Sequence, residues 1–570
     1  MSLRVILRVL AAWALVTVVM CVVIRRVFAL DVDEAHPRAV VASMWSGGSL
    51  VTRAVIAHAG DRDAALDAAL ASHPAGTLVY ESVVGEGPVL VQPEAALSAS
   101  LVAGRDGLAV TLGGRTEYLT PDDLLSRQAY DDGVRVPSIG LVTGVDVPLA
   151  LAVLADRFGT TASDLVERAR LRRARFLRSV PGDPPARTVT PDSMTDDDVR
   201  GAAVAAAQFL VRGVDPEGRF RYLVDAPTNR TLPGYDWPRH AGATYFLAQM
   251  AALSHDPEIA WAALRAASWL RDNASGACGP HRCIGTGTRV DLGSTALAVI
   301  AFVELARTDL DRGYALLVPG LTAFLRAQQR PDGEFMHEYD RNRSAPIDVQ
   351  LLYYSGEATL ALSRAHALLG DPRDLDAATR GLAHLTGPAW SFFGSRYYFG
   401  EEHWTCQAMD DLWDRAPDAG ALDFCLRWQA YGRRLQYGPG ETPFDADGAY
   451  GLGPFVSPRL TPVGSRCEAG LATLDAARRA GGDPAELTLL DRQMRRSLAL
   501  LLRQQFRPGP RHLFADPEAV YGAMPGSEVD WQLRIDFVQH AGSALVRWLA
   551  LSVGVGNTAV TNSVDKTSKP

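Results

Sequence analysis

Several ionisable side chains in this chain stand at the starts of strongly apolar helical stretches, where an unpaired charge is costly to bury. Glu357 lies in YYSGEATLAL and Glu468 in SRCEAGLATL, each in the first turns of such a stretch. In WQLRIDFVQHAG, Arg534 and Asp536 stand at one end of a helix, with His540 one turn further along the Asp536 face. EEHWT supplies His403 and Trp404, GYDWPRHAG supplies Asp236, Arg239 and His240, and YYSG supplies Tyr353 and Tyr354. Twelve histidines are few for 570 residues, so three of them at helix starts carry weight. The expected catalytic set is Glu357, Glu468, His403, Asp536 and His540. The expected substrate-binding set is Asp236, Arg239, His240, Tyr353, Tyr354, Trp404 and Arg534. Asp291, in DLGST, reads as a helix N-cap.

These positions share a cadence: a polar or charged residue, a small residue, then an apolar helix. It recurs at RHAGATYFLAQMAAL (Arg239 to Leu253), at Asp291, Ser355, Glu402 and Ser465, and at FVQHAGSALVRWLAL from Phe537. Amphipathic helices alternate with them, among them Asp197 to Gly213, Pro257 to Asn273, Tyr314 to Gln329 and Ala421 to Tyr437. A helix apolar on most faces must be buried, and one with a single apolar stripe lies outside it. Six buried helices inside six amphipathic ones predict an (α/α)6 toroid over residues 197–552. In such a ring the inner helices point the same way. Their N-termini and the named side chains then meet at one mouth, where the helix dipoles favour anionic groups. FLVRGVDPEGRFRY and FLRAQQRPDGEFMHEY share a turn plan and are expected to fold as hairpins over that mouth.

The remainder of the chain is organised differently. Val5 to Ile24 is an apolar run broken by Arg8 and flanked by Arg4 and by Arg25 and Arg26, long enough to span a bilayer. Residues 1–30 are therefore expected to be an uncleaved membrane anchor, with the body outside the cytoplasm (periplasmic or at the cell surface); a cleaved signal peptide is the alternative. Residues 37–180 read as an α+β domain. VVASMWSG, GTLVYESVV, GPVLVQP, GLAVTLGG and TEYL are its strands, and PLALAVLADRF and TASDLVERARLRRARFLRSV its helices. LADRFGTTASDLVERARL has a helix-turn-helix look, but the net charge of −8 and the lack of a dense basic stripe argue against nucleic acid. Residues 181–196 form a Pro-rich linker, and 553–570 a polar tail expected to be disordered.

Cys278 and Cys283, in CGPHRC, could join His281 in a metal site, but no second pair of ligands stands near by, and a small disulfide or two free thiols is the expected reading; a disulfide favours an oxidising compartment. Metal is not expected. A zinc set of His240, His403, Cys406, Glu468 and His540 can be written down, but the paired Cys/His motifs of the zinc toroids are missing. No cofactor is expected.

The hairpin order, with RHAG, YYSGEA, EHWT, SRCEAG and RIDFVQH, resembles the bacterial six-hairpin toroid proteins of the glycosidase, polysaccharide lyase and sugar epimerase type, over about Asp197 to Leu551. SGEATLALSRAHALLGD in particular resembles a hairpin of the uronyl epimerase toroids. That resemblance implies an enzyme acting on a saccharide; with the N-terminal anchor and the dipole-positive mouth, the expectation is a membrane-anchored enzyme acting on an envelope or extracellular, anionic saccharide. Two carboxylates flanking a glycosidic bond would hydrolyse it. A His and a Tyr beside a uronate would remove a proton next to the carboxylate and give elimination or epimerisation. Arg239 and Arg534 would hold the acidic sugar. No single family's catalytic set aligns in full. Two alternatives stand beside the enzyme: a non-catalytic, membrane-tethered glycan-binding or assembly protein whose α+β domain contacts a protein partner, and a zinc-dependent toroid transferase.

Overall fold

Helices rich in Ala, Leu and Val on every side have no face to leave in water, and in the computed structural model they occupy the centre of a ring. The description covers residues 30–56, 64–89, 94–131, 144–182, 188–388, 402–442, 445–451, 458–507 and 509–564. The ring helices, in chain order, are α1 (Asp196–Gly213), α2 (Trp237–Ser254), α3 (Pro257–Ala274), α4 (Leu292–Arg307), α5 (Val318–Ala327) and α6 (Tyr354–Leu369). They continue as α7 (Pro372–Thr386), α8 (Glu402–Leu412), α9 (Ala419–Arg433), α10 (Leu460–Arg479), α11 (Pro484–Gln504) and α12 (Ile535–Val564). Each even-numbered helix packs on the next, α2 on α4 through to α10 on α12, and α12 closes the circle on α2. The odd-numbered helices lie outside. This is the expected (α/α)6 toroid.

Local chemistry starts the outer helices. At α3, α7 and α11 an Asp-Pro pair does the work: Asp256, Asp371 and Asp483 each accept a backbone N–H from the first turn, and proline fills the first helical position, where an N–H has no partner to lose. The two echoed turns form short hairpins, closed by bridges between Val214 and Phe220 and between Gln329 and Phe335. Gly218 and Gly333 take φ of +101° and +94°, and a Cβ on either would meet the carbonyl of Arg265 or Arg380 on the following outer helix. Only glycine fits both demands.

Ahead of the ring lies a six-stranded antiparallel sheet: β1 (Ala39–Ser46), β2 (Ser49–Ile56), β3 (Thr77–Pro88), β4 (Asp106–Leu112), β5 (Arg115–Leu119) and β6 (Arg170–Ser179), in spatial order β2-β1-β3-β6-β4-β5. Two strands depart from the sequence reading. SLVTRAVI was not read as a strand and is β2. RLRRARFLRS was expected to continue a helix, but that helix stops at Arg168 and the segment is β6, between β3 and β4. Its arginines are tolerated there because Asp106, on β4, pairs with both Arg175 and Arg173. That partner is invisible from local pattern. Of GPVLVQP, Gly87 and Pro88 belong to β3, which runs through to Pro88, and residues 90–93 lie outside the described residues. The helix-turn-helix look resolves into Val147–Phe158 and the seven-residue helix Ala162–Arg168, which leads directly into β6.

The apolar run Val5 to Ile24 lies outside the described residues. Among those described, no helix is long and apolar enough to cross a membrane. At the other end, α12 is assigned as far as Val564, into the stretch expected to be a disordered tail.

Sheet and ring are joined by buried polar contacts. His512 Nε2 donates to Asp122 Oδ2 at 2.6 Å, both side chains fully buried, and Arg178 Nη1 donates to Asp122 Oδ1 at 2.8 Å. Burial alone would raise the Asp122 pKa; Arg178 and His512 outweigh it and hold the carboxyl below its usual range. Trp45 packs edge-on against His512 at 5.8 Å, and Gln128 donates to Asp225 at 2.6 Å. Truncating one partner of a buried ion pair leaves the others uncompensated. Asp122→Ala is therefore expected to destabilise the protein by about 3 kcal/mol, measured by urea unfolding at pH 7.

Candidate active site

The N-terminal ends of the inner helices surround a cavity of about 420 Å³, within the size range of small-molecule sites. Of the residues expected there, Asp236, Arg239, Tyr353, Tyr354, Glu357, His403, Trp404, Arg534, Asp536 and His540 line it. Glu468 and His240 do not.

Glu468 lies immediately behind the wall, on α10. His403 Nε2, from α8, and His540 Nδ1, from α12, each stand 2.8 Å from the same carboxylate oxygen, Oε2. The two imidazoles are 4.9 Å apart edge to face, and Trp404 packs on His403 at 4.1 Å. Burial works to raise the Glu468 pKa, but the two histidines lower it below the usual carboxylate range. Burial lowers that of His403 despite the neighbouring carboxylate. Close helix contact makes the cluster possible: a Cβ on Gly464 would strike the backbone of Ala541 and His540 at 2.8 and 2.9 Å. The small residue before SRCEAG thus lets α10 and α12 approach until Glu468 and His540 meet.

Asp536 is held differently. Arg534 donates to both its oxygens, at 2.5 and 2.8 Å, and Arg239 Nε donates to Oδ2 at 3.1 Å. Burial opposes ionisation, yet the hydrogen bonds and charge of Arg534, with Arg239, lower its pKa. Arg239 also pairs with Asp236 and donates to the Tyr222 hydroxyl at 3.0 Å. The antiparallel pairing of Gln532–Arg534 with Leu223–Asp225 fixes where Arg534 enters this network. Asp536, Arg534 and Arg239 therefore form one paired wall, and an Asp536 held below the usual carboxylate range is poorly suited to donate a proton.

On the opposite side, Glu357 is buried on the cavity wall beside Tyr354. A Cβ on Gly293 would lie 2.5 Å from both the Glu357 carboxylate and the Tyr354 ring, so the glycine of DLGST makes room for them. Burial, then Asp291 and Glu357, raises the Tyr354 pKa, and it stays a neutral phenol. Tyr353 takes φ +79°, rare for a residue with a side chain, and leaves its ring half-exposed at the mouth. Asp291 caps α4 through the Ser294 N–H at 2.7 Å, as expected.

His240 requires a correction. Expected to bind substrate, it is fully buried away from the cavity among Phe220, Tyr235 and Trp269. Its Nε2 donates to the Ala266 carbonyl at 2.8 Å, and its Nδ1 accepts from the Tyr235 hydroxyl at 2.7 Å. Of the zinc set that could be written down, Cys406 is disulfide-bonded to Cys425; separately, Cys278 is bonded to Cys283. That leaves His403, Glu468 and His540, whose ligand atoms lie within 4.8 Å of one another. Sequence reasoning assigned no role to Glu402, Arg459 or Arg466, which also line the cavity. The charged starts of EHWT and SRCEAG marked Glu402 and Arg466. Arg459, outside any such motif, had no local signal.

No family model matches the chain, and no curated protein matches it. Among solved structures it is similar to a D-mannose isomerase (12% identity, covering 63% of this chain and 98% of that one, TM-score 0.48). It is likewise similar to the cellobiose 2-epimerase of Bacillus thermoamylovorans (9%, 62% and 98%, 0.48) and to an unsaturated glucuronyl hydrolase specific for heparin (14%, 63% and 98%, 0.44).

Burial pushes the His240 pKa down to about 4. The unfolded chain, with an ordinary imidazole, binds more protons than the folded one between that value and about 6.5. Stability is complete above pH 6.5 and falls as the pH drops toward 4. At pH 5 the His240 contribution is a loss of about 2 kcal/mol. Urea unfolding at pH 7 and pH 5 should show this drop shrinking by that amount in His240→Gln, which cannot take up the proton.

Proposed function

We propose that this protein is an acid/base enzyme acting on a saccharide, with His403 and His540 as the proton-transferring groups and Glu468 as the carboxylate that orients them. The observation that carries the reading is the pair of imidazoles on one buried carboxylate at the wall of a cavity ringed by six helix N-termini. A ring nitrogen so held is fixed in tautomer and aim, as general acid/base chemistry requires. The reaction this favours is removal and return of a proton at a carbon next to a carbonyl or carboxylate, giving epimerisation, isomerisation or elimination. Hydrolysis by two carboxylates fits less well, because Glu468 stands behind the histidines and Asp536 is locked by two arginines. Glu357, with Tyr354, then faces the sugar from the opposite wall. Trp404 supplies an apolar face, and the helix N-termini favour an anionic substrate.

A second reading rests on a specific observation: His403, Glu468 and His540 have the ligand types and spacing of a three-residue metal site. Zinc-dependent transfer would follow from it. A glycan-binding or assembly protein is the third. The disulfides Cys278–Cys283 and Cys406–Cys425 support an oxidising compartment. With the N-terminal apolar run, they make a membrane-anchored body outside the cytoplasm the favoured location.

The test is to incubate the purified full-length protein with a panel of neutral and uronic saccharides in deuterated water and follow carbon-bound deuterium by NMR. The wild type is expected to exchange one C–H position. His403→Asn and His540→Asn should each slow this by at least ~100-fold, with little change in binding. Bond cleavage without exchange, lost in Glu357→Gln, would replace this reading with two-carboxylate hydrolysis. Activity abolished by chelation and restored by zinc would replace it with the metal reading, and binding without turnover would leave a glycan-binding protein.

A further inference from the structure

Behind the candidate site lies a second cavity of about 460 Å³, at the end of the ring where the inner helices finish. Each inner helix supplies part of its wall: Tyr245, Val303, Arg364, Gln407, Glu468 and Val546 come from α2, α4, α6, α8, α10 and α12 in turn. Ala367 and Ala550, on its rim, are exposed, so it opens to solvent on the face away from the first cavity. The arginines around it have structural tasks. Arg307 and Arg479 stand in the last turns of α4 and α10, and Arg415 Nη1 donates to the Asp411 carbonyl in the last turn of α8 at 2.8 Å, where cations answer the helix dipole. Arg307 pairs with Glu304 and Arg547 with Asp410, while Arg364 lies 3.9 Å from Asp411, and Asp475 3.7 Å from Arg479. The wall charges that remain, Arg415 and Glu468, are of opposite sign, so the cavity selects no ion. Two buried atoms of this wall have no hydrogen-bond partner among the described residues: Arg364 Nη1, a donor, and Glu468 Oε1, an acceptor.

We propose that the rear cavity is a second binding site, for a neutral polyhydroxylated molecule of the size of a mono- or disaccharide. A hydroxyl both donates and accepts. One sugar can therefore take a hydrogen bond from Arg364 Nη1 and give one to Glu468 Oε1, whereas a carboxylate can only accept and an ammonium group can only donate. Val303, Leu368 and Val546 give its C–H faces an apolar floor, the mixture of apolar wall and few polar groups usual for small-molecule sites of this volume. Ordered water can satisfy the same two atoms, and displacing it costs little where the incoming group reproduces its hydrogen bonds. The site is separate from the front cavity and does not rest on the proposed reaction, although one residue serves both. Glu468 Oε2 takes the ring nitrogens of His403 and His540, so a sugar hydroxyl on Oε1 would hold the same carboxylate from behind.

The test is equilibrium dialysis of the full-length protein against ¹⁴C-labelled D-glucose, D-mannose and D-galactose. At least one hexose is expected to bind. Ala367→Trp combined with Ala550→Trp plugs the rear rim at two exposed positions, where folding is not at stake, and should weaken that binding by at least about tenfold. Arg364→Lys, which keeps the charge but loses the planar fork, should weaken it comparably. Ser465→Trp, which fills the front cavity, should leave it intact, and in that protein D-glucuronate and D-glucosamine should compete at least about tenfold less well than the unlabelled hexose. Binding unchanged in both rear variants would place the sugar at the front and overturn the proposal. No binding of any of the three hexoses would leave the rear cavity to water and overturn it as well. Equal competition by either charged sugar would overturn the neutral class. Rear binding in a protein that exchanges no carbon-bound deuterium would leave this site standing and remove the proposed reaction.

Discussion

A carboxylate on the axis of an apolar ring is the constraint around which this molecule is arranged. Glu468 has almost no exposed surface, and a buried charge is tolerable only with donors brought to it. Two histidines from the neighbouring inner helices meet that demand, and His540 reaches it because α10 and α12 approach across Gly464. The same close packing that closes the ring therefore sets the distances of the cluster. Moving α10 against α12 would separate Glu468 from His540 before it disturbed much of the core.

The second polar system, Asp236, Arg239, Arg534 and Asp536, is a structural counterpart that begins one turn from His540 on α12. Its charges cancel internally and its geometry is fixed by a short strand pairing, so it shapes the cavity. The contrast is chemical. Asp536 is surrounded by guanidinium groups that never lose their protons, whereas Glu468 is bonded to imidazoles, which exchange protons readily. Only the second arrangement is suited to proton transfer.

Much of the ring was legible beforehand. The alternation of all-round apolar and one-sided helices, the Asp291 cap and the glycine turns are local signals with local causes, and the structure follows them closely. Ten of the expected site residues meet at one mouth for the same reason: each stands just before an inner helix or in its first two turns, and closure gathers those ends. His240 obeys the same cadence yet points outward into an aromatic pocket, because helical periodicity places its side chain toward α3. A one-residue offset from Arg239 separates a cavity wall from the core. Strand β6 was misread for a different reason: its five arginines look like a solvated helix until Asp106, supplied by another strand, is known.

The order of types along the chain determined the twelve ring helices, their inner and outer assignment and the end at which ionisable groups collect, since burial periodicity and capping act over a few residues. The tertiary structure alone decided which carboxylate receives the histidines, that Asp536 is clamped by two arginines, that Cys406 is bonded to Cys425 and that a second cavity lies behind the first. Those outcomes depend on distances between segments tens to hundreds of residues apart, set by how closely the helices pack when the ring closes, and no local pattern encodes them.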